Sequence, residues 1–128
     1  MCPVGTRRAI VSHPILVRRR AEQQARIRCA ADWAHELAKR IDLVAVVIFG
    51  STARGDFNKW SDIDVLVVAN ELPLDARVRL ALLTEAAPPG LQPGGWMPDE
   101  FADRRRRKDP IARECDAVGV TVFGALPS

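Results

Sequence analysis

Two apolar segments separated by a polar stretch most constrain what this chain can fold into. The first, Leu43–Phe49, is an unbroken apolar run rich in valine and isoleucine. Such a run is typical of a β-strand buried on both faces, and strands of this kind belong to sheets covered by helices. The second segment, Asp62 to Val68, begins with two acids and continues with aliphatic residues. The sequence therefore predicts two buried strands joined by a polar connection.

The polar connection combines groups that bind phosphate with groups that bind metal. Gly50-Ser51 predicts a tight turn that opens a short helix reaching about Asp56. Backbone N–H groups at a helix start favour phosphate, and glycine lets a ligand approach the backbone closely. Asp62 and Asp64 are two positions apart on a strand, so their side chains project to the same face. Phosphate donors beside paired carboxylates indicate a site for a metal and a nucleotide.

The order and spacing of these residues resemble the signature of the DNA polymerase β-type nucleotidyltransferase superfamily, in particular its minimal nucleotidyltransferases. The matching residues are Gly50-Ser51, Gly55, Ser61-Asp62 and Asp64. The resemblance covers roughly residues 25 to 124, because the C-terminal part also follows the family's order, at Pro98, Glu100, Phe101, Asp109-Pro110 and Gly119 to Gly124. It implies an α/β (α+β) fold in which a small mixed β-sheet is flanked by helices.

The resemblance also implies an activity: metal-dependent transfer of a nucleotide, expected to be AMP from ATP, to a hydroxyl of a small molecule or a partner protein. Asp62 and Asp64 would be the catalytic acids and would hold Mg²⁺ or Mn²⁺, which prefer oxygen ligands. Gly50 and Ser51 would bind the phosphates of the nucleotide. Arg54 is either a further phosphate contact or part of a salt bridge that orders the loop.

One position departs from the family pattern. Active members carry a third carboxylate on a neighbouring strand, and alignment backward from Pro98 places Gln92 there. A glutamine can lend a carbonyl oxygen to a metal, but it cannot act as a general base near neutral pH. Asp99 and Glu100 are alternative acids, although acids in a first helical turn are already explained by the helix dipole. A second hypothesis therefore stays open: an antitoxin-like binding partner of a helical HEPN-type protein, with weak or no catalysis.

Length and composition favour one domain, residues 16–128, preceded by a loose basic tail, residues 1–15. The chain has 128 residues, of which 48% are apolar and 27% charged, as in ordinary globular proteins. Three widely spaced cysteines are typical of reduced thiols in the cytoplasm. The longest apolar run is far shorter than the roughly 20 residues needed to cross a bilayer. We expect a cytoplasmic protein without membrane contact.

The net charge of +3 suits an anionic ligand without singling out nucleic acid. The basic run Arg104–Lys108 has no interleaved aromatic residues, which favours a solvated helix face over RNA binding. Because so short a chain has no evident domain for recognising an acceptor, we expect a second copy in a homo-oligomer, or a partner protein, to complete the site.

Three further predictions concern single segments. Pro93 and the glycines beside it make Leu91–Trp96 a strand at a sheet edge or a bulge. A helix over residues 76–83 is expected to present Val78, Leu82 and Leu83 on its apolar face. Trp60 either stacks on a base or packs against the protein, and packing is the more common role of tryptophan.

Overall fold

A mixed sheet of four strands forms the centre of the fold. The computed structural model describes residues 14–128, so residues 1–13 of the predicted basic tail lie outside the described part. In chain order the elements are helix α1 (Pro14–Leu37), strand β1 (Leu43–Phe49), helix α2 (Gly50–Arg54), strand β2 (Ile63–Ala69), helix α3 (Ala76–Ala86), strand β3 (Leu91–Trp96), helix α4 (Pro98–Arg106), helix α5 (Pro110–Val118) and strand β4 (Val120–Gly124). None of the described helices combines the length and apolar character needed to cross a membrane.

The strand order is β3-β2-β1-β4, so the two apolar segments occupy the centre of the sheet. β1 pairs antiparallel with β2 and with β4, whereas β2 pairs parallel with β3. The predicted class, a small mixed sheet flanked by helices, is confirmed. The edge position predicted for Leu91–Trp96 is confirmed as well, and an edge tolerates Pro93 because one side of the strand needs no hydrogen-bonded neighbour.

Helices cover both faces of the sheet, which explains why its central strands are apolar on both sides. On one face, Val46 and Ile48 pack among residues of α1 and α3; on the other, Ala45 and Val47 pack among residues of α4 and α5. The second layer includes Cys115, where burial raises the pKa of the thiol to about 12. This thiol therefore stays protonated and serves as an apolar core group.

The basic run near the end of α4 is largely paired with acids of the same chain. The ion pairs measure 2.9 to 3.2 Å and join Arg104 to Asp109, Arg105 to Asp116, and both Arg106 and Arg107 to Asp103. Pairs this exposed contribute little stability individually, yet they reduce the positive charge that the run presents. This agrees with its interpretation as a solvated helix face.

Helix α3 buries fewer apolar side chains than its sequence predicts. Leu83 is fully buried, whereas Val78 and Leu82 are 55% and 40% exposed, so placing these two on the buried face was wrong. The physical reason is that α3 packs against the edge strand β3, so only a narrow strip of the helix surface is in contact with the sheet. Contact there is close: a Cβ atom at Gly95 of β3 would lie 2.6 Å from Leu83 Cδ1.

Two neighbouring leucines of α3 test this packing. Leu83→Ala should lower the free energy of unfolding by about 2–5 kcal/mol, because it removes a fully buried side chain and leaves a cavity. Leu82→Ala, the matched control, should cost about 1 kcal/mol or less, since much of its side chain is already in water. Urea denaturation measures both, and equal losses would contradict the observed orientation of α3.

Candidate functional site

The register between β1 and β2 brings the Gly-Ser turn beside the paired acids. Phe49, the last residue of β1, is paired with Asp64, so the next residue, Gly50, lies next to the Asp64 side chain. Gly50 has φ +73°, and a Cβ atom there would lie 3.2 Å from Asp64 Cγ and would overlap its carboxylate oxygen. Only glycine fits this position, both for its backbone conformation and for the space that the carboxylate occupies.

Asp62 and Asp64 differ in environment but share one feature. Asp62 is exposed just ahead of β2, and Asp64 is half-buried within it. Within residues 14–128, neither carboxylate forms an ion pair or a side-chain hydrogen bond. Burial raises the pKa of Asp64, with further contributions from the charges of Asp62 and Glu114, and Arg54 opposes them. The ionised form of Asp64 is thus disfavoured, a penalty that a cation would relieve.

Helix α2 is a single turn that presents Ser51 at its start. Its C-terminal end is closed by Gly55, whose N–H donates to the Ser51 carbonyl oxygen at 2.8 Å. In the part of the chain that the structure describes, no side-chain hydrogen bond involves the Ser51 hydroxyl. This hydroxyl is therefore available to a ligand, as the sequence predicts for a phosphate-binding group.

Arg54 forms salt bridges, which is one of the two roles that the sequence left open for it; the other is a contact to phosphate. Its Nε donates to Asp56 Oδ2 at 3.1 Å, and its Nη1 donates to Glu114 Oε1. The side chain remains 44% exposed. These pairs tie the end of α2 to the following loop and to α5, and the exposed part of the guanidinium leaves room for an additional anion.

Glu114 is a residue of this site that the sequence analysis missed. It lies on α5, whose first turn is capped by the Asp109 carboxylate and whose Ala112 and Cys115 are buried against the sheet. Glu114 Oε1 accepts a hydrogen bond of 2.8 Å from the Gly50 N–H, across 64 positions of sequence. No local pattern signals such a contact, because it depends on how α5 packs beside the turn.

A second group of missed residues lies on α1. Arg26 donates to the carbonyl oxygens of Asn58 at 3.0 Å and Ser61 at 2.9 Å, and its guanidinium lies 4.4 Å from the centre of the Phe57 ring. The Ser61 hydroxyl in turn accepts the Asn58 N–H at 3.0 Å. The loop that leads into the paired acids is therefore fixed both by Arg26 of α1 and by a hydrogen bond between its own residues.

Two more α1 side chains bind the neighbouring backbone. Gln23 donates to the Thr52 carbonyl oxygen at 2.9 Å, and Arg19 donates to that of Phe57 at 2.6 Å. Helix α1 thus contacts both α2 and the loop through its polar side chains, whereas the sequence indicated only a core-packing role for this helix. Helix α1 therefore contacts both the short helix that follows the Gly-Ser turn and the loop that precedes the paired acids.

Trp60 does not pack against the protein in the described structure. Its side chain is 81% exposed, and the Lys59 ammonium lies 5.0 Å from the centre of its ring. The prediction that Trp60 packs was wrong: its backbone N–H joins the loop by donating to Asn58 Oδ1 at 2.8 Å, while its indole stays in solvent. Lys59 is likewise exposed.

Gln92 lies beside Asp64 across the parallel pair of β2 and β3. Paired residues of adjacent strands project to the same face, so an amide stands next to the acid of the central strand. Glu100 does not replace a carboxylate there: it accepts the Met97 N–H at 2.7 Å and pairs with Arg79 at 2.8 Å. These contacts outweigh the opposing effect of burial and lower the pKa of Glu100.

The donor set fits a hard cation through two side chains. Asp62 and Asp64 offer carboxylate oxygens that form no ion pair within residues 14–128, and Mg²⁺ prefers ligands of this type. Among residues 14–128 there is no group of three or more His, Cys, Asp or Glu arranged as metal ligands. A cation here would thus take its remaining ligands from a bound substrate or from water.

Comparisons with known proteins identify the family of the chain. The profile of the family described as "Nucleotidyltransferase domain" matches residues 33–112, more than half of the chain. The chain belongs to this nucleotidyltransferase family. The match includes the Gly-Ser turn, the paired acids and Gln92, whereas Arg26 and Glu114 lie outside it. The predicted resemblance to minimal nucleotidyltransferases is confirmed.

Three proteins similar to this nucleotidyltransferase domain are informative to different degrees. A protein of Methanocaldococcus jannaschii named "putative protein adenylyltransferase" is 50% identical over 32 residues, which are 25% of this chain and 22% of that protein. The crystal structure of a protein of Sulfolobus solfataricus described as a "putative nucleotidyltransferase" shares the fold, with a TM-score of 0.61 and 22% identity over 80% of this chain and 84% of that one. A chain of a toxin-antitoxin complex with AMP-PNP has a TM-score of 0.47 and 18% identity over 74% and 73%. At that level the last supports no conclusion.

The close approach of Gly50 and Asp64 predicts the effect of one added methyl group. Gly50→Ala should destabilise the nucleotidyltransferase fold by about 2 kcal/mol or more, since it combines an unfavourable positive φ with a clash against the carboxylate. Gly90→Ala is the matched control: Gly90 has φ +87° but nothing within 4 Å of an added Cβ, so only the backbone cost of about 1 kcal/mol remains. Thermal denaturation compares the two, and equal losses would contradict the contact.

Proposed function

We propose that this domain binds Mg²⁺–ATP between the Gly-Ser turn and the paired acids and transfers AMP to a hydroxyl acceptor. The observation that carries the proposal is that the Asp64 carboxylate lies against Gly50 and has no ion-pair partner within residues 14–128. It puts oxygen ligands for a cation next to the start of a helix, where backbone N–H groups favour phosphate. The match to the nucleotidyltransferase family supports the reaction class.

In this proposal Asp62 and Asp64 are the catalytic acids and hold Mg²⁺ or Mn²⁺. The bound cation would neutralise the charge that develops on the phosphate oxygens during transfer. Ser51 donates its hydroxyl to the triphosphate, and Gly50 keeps the backbone close to it. Arg54 contributes a positive charge at the end of α2, while its pairs with Asp56 and Glu114 restrict where that charge lies.

The reaction joins the acceptor oxygen to the α-phosphorus of ATP and breaks the bond from that phosphorus to the bridging oxygen, releasing pyrophosphate. The proton of the acceptor hydroxyl passes to water or to a group of the acceptor, since Gln92 beside Asp64 cannot accept it. The similarity to a relative named a protein adenylyltransferase favours a protein hydroxyl as acceptor. A HEPN-type helical protein or a second copy of this chain would then complete the site.

In a second candidate function the chain binds the nucleotide but does not transfer AMP. The observation that favours it is the amide of Gln92 at the position where a third carboxylate is expected. In this case the chain acts as an antitoxin-like binding partner that covers a helical protein without modifying it. AMP added to the partner, detected by intact-protein mass spectrometry, separates the first function from the second.

Calorimetry with Mg²⁺–ATP tests the site itself. The wild-type chain should bind, and Asp62→Asn or Asp64→Asn should weaken binding by at least about tenfold, because each removes a charged ligand of the cation. Asp99→Asn is the control, since Asp99 is an exposed acid of α4, which follows the end of β3 opposite to Gln92, the partner of Asp64. Absence of binding by the wild-type protein would refute the proposed function.

Restoring a carboxylate beside Asp64 should raise the transfer rate. Gln92→Glu supplies both a metal ligand and a base, and general-base catalysis contributes about 10²-fold at the lower end of its range. Gln92→Met has a similar size without charge and should give no gain. Initial rates of AMP incorporation into the acceptor compare the variants, and equal rates for both would show that position 92 does not face the reacting groups.

A further inference from the structure

We propose that Glu114 is a positioning residue of the nucleotide site, which holds the Gly-Ser turn and Arg54 in the arrangement that receives the triphosphate. The inference rests on the proposed function and adds a residue outside the segment that matches the family profile. Glu114 acts through Gly50 and Arg54 and does not itself react.

The first observation is that one carboxylate oxygen joins both ends of α2. Glu114 Oε1 accepts the N–H of Gly50, the first residue of this helix, at 2.8 Å. The same oxygen accepts Nη1 of Arg54, the last residue of the helix. Because Glu114 belongs to α5, which is buried against the sheet through Ala112 and Cys115, the short helix is tied to the rigid part of the fold.

The second observation concerns how α2 begins. The first N–H groups of a helix have no partner within the helix and are usually satisfied by a polar side chain at the N-cap. Here the N-cap is Phe49, which provides no side-chain hydrogen bond. Glu114 supplies the missing acceptor from a distant part of the chain, so the turn with φ +73° at Gly50 depends on a tertiary contact.

The third observation concerns the direction of Arg54. Within residues 14–128 its guanidinium has two acidic partners, Asp56 on the exposed loop and Glu114 on α5. Without Glu114 the side chain would be held by Asp56 and would follow that loop. Glu114 accepts the N–H of Gly50 at 2.8 Å, and Gly50 lies against the Asp64 carboxylate, so the pair of Glu114 and Arg54 lies beside the acids that would hold the cation.

A double-mutant cycle measured by calorimetry with Mg²⁺–ATP tests the inference. Arg54→Ala should weaken binding about tenfold by removing a charge-assisted contact. Glu114→Ala should weaken it nearly as much, and the double variant should bind no more than about twofold more weakly than Arg54→Ala alone. Coupled residues give such non-additive effects. Glu114→Gln keeps an oxygen acceptor and should lose only about threefold.

The matched control is Asp116→Ala. Asp116 lies on the same helix and forms an ion pair of 2.9 Å with Arg105, away from the turn. This variant removes a comparable pair from α5 and should leave ATP affinity unchanged. Thermal midpoints of all variants show that each is folded, and if Glu114→Ala does not fold, the cycle is completed with Glu114→Gln.

Three results would overturn the inference. Unchanged affinity in the Glu114 variants would mean that Glu114 only stabilises the fold. Tighter binding would show that its carboxylate competes with phosphate for Gly50 and Arg54. Additive losses would mean that Glu114 and Arg54 act independently. If the wild-type chain itself binds no Mg²⁺–ATP, the proposed function fails and this inference fails with it, whereas a failure confined to the Glu114 variants leaves the proposed function intact.

Discussion

The antiparallel pairing of β1 with β2 is the constraint on which the rest of the structure depends. It places Phe49 opposite Asp64, so that the turn after one central strand meets the acids at the start of the next. A shift of this register by one residue would turn Asp64 to the other face of the sheet. Such a shift is opposed because it would move the Asp64 carboxylate to the face of β2 that packs in the apolar layer with Val46 and Ile48.

The arrangement of charges in the site follows from this strand pairing and from two helices beside it, α2 with Arg54 and α5 with Glu114. Asp62, Asp64 and Glu114 bring three negative charges to the turn, and Arg54 is paired with only one of them. The remaining two acids have no ion-pair partner within residues 14–128. These two carboxylates, together with the Ser51 hydroxyl, are the groups at which we propose that the metal complex of a nucleotide binds.

The site residues differ in how far the sequence reveals them. Gly50, Ser51, Asp62 and Asp64 were predicted because a turn and a strand are local structures with a known periodicity. The role of Arg26 could not be predicted, since its hydrogen bonds reach residues 32 and 35 positions away. The apolar pattern of α3 also gave a wrong prediction for Val78 and Leu82. An amphipathic pattern shows which side chains of a helix could be buried, but it does not show how wide the protein surface is that covers them.

The sequence by itself determined the class of the fold, the order of the two central strands along the chain and the turn that follows the first of them. It did so because these features depend on residues close together in the chain. Only the tertiary structure decided that Glu114 caps the turn and that α1 holds the loop. Those contacts depend on how separate elements pack, and packing is set by the shape of the whole core rather than by any local pattern.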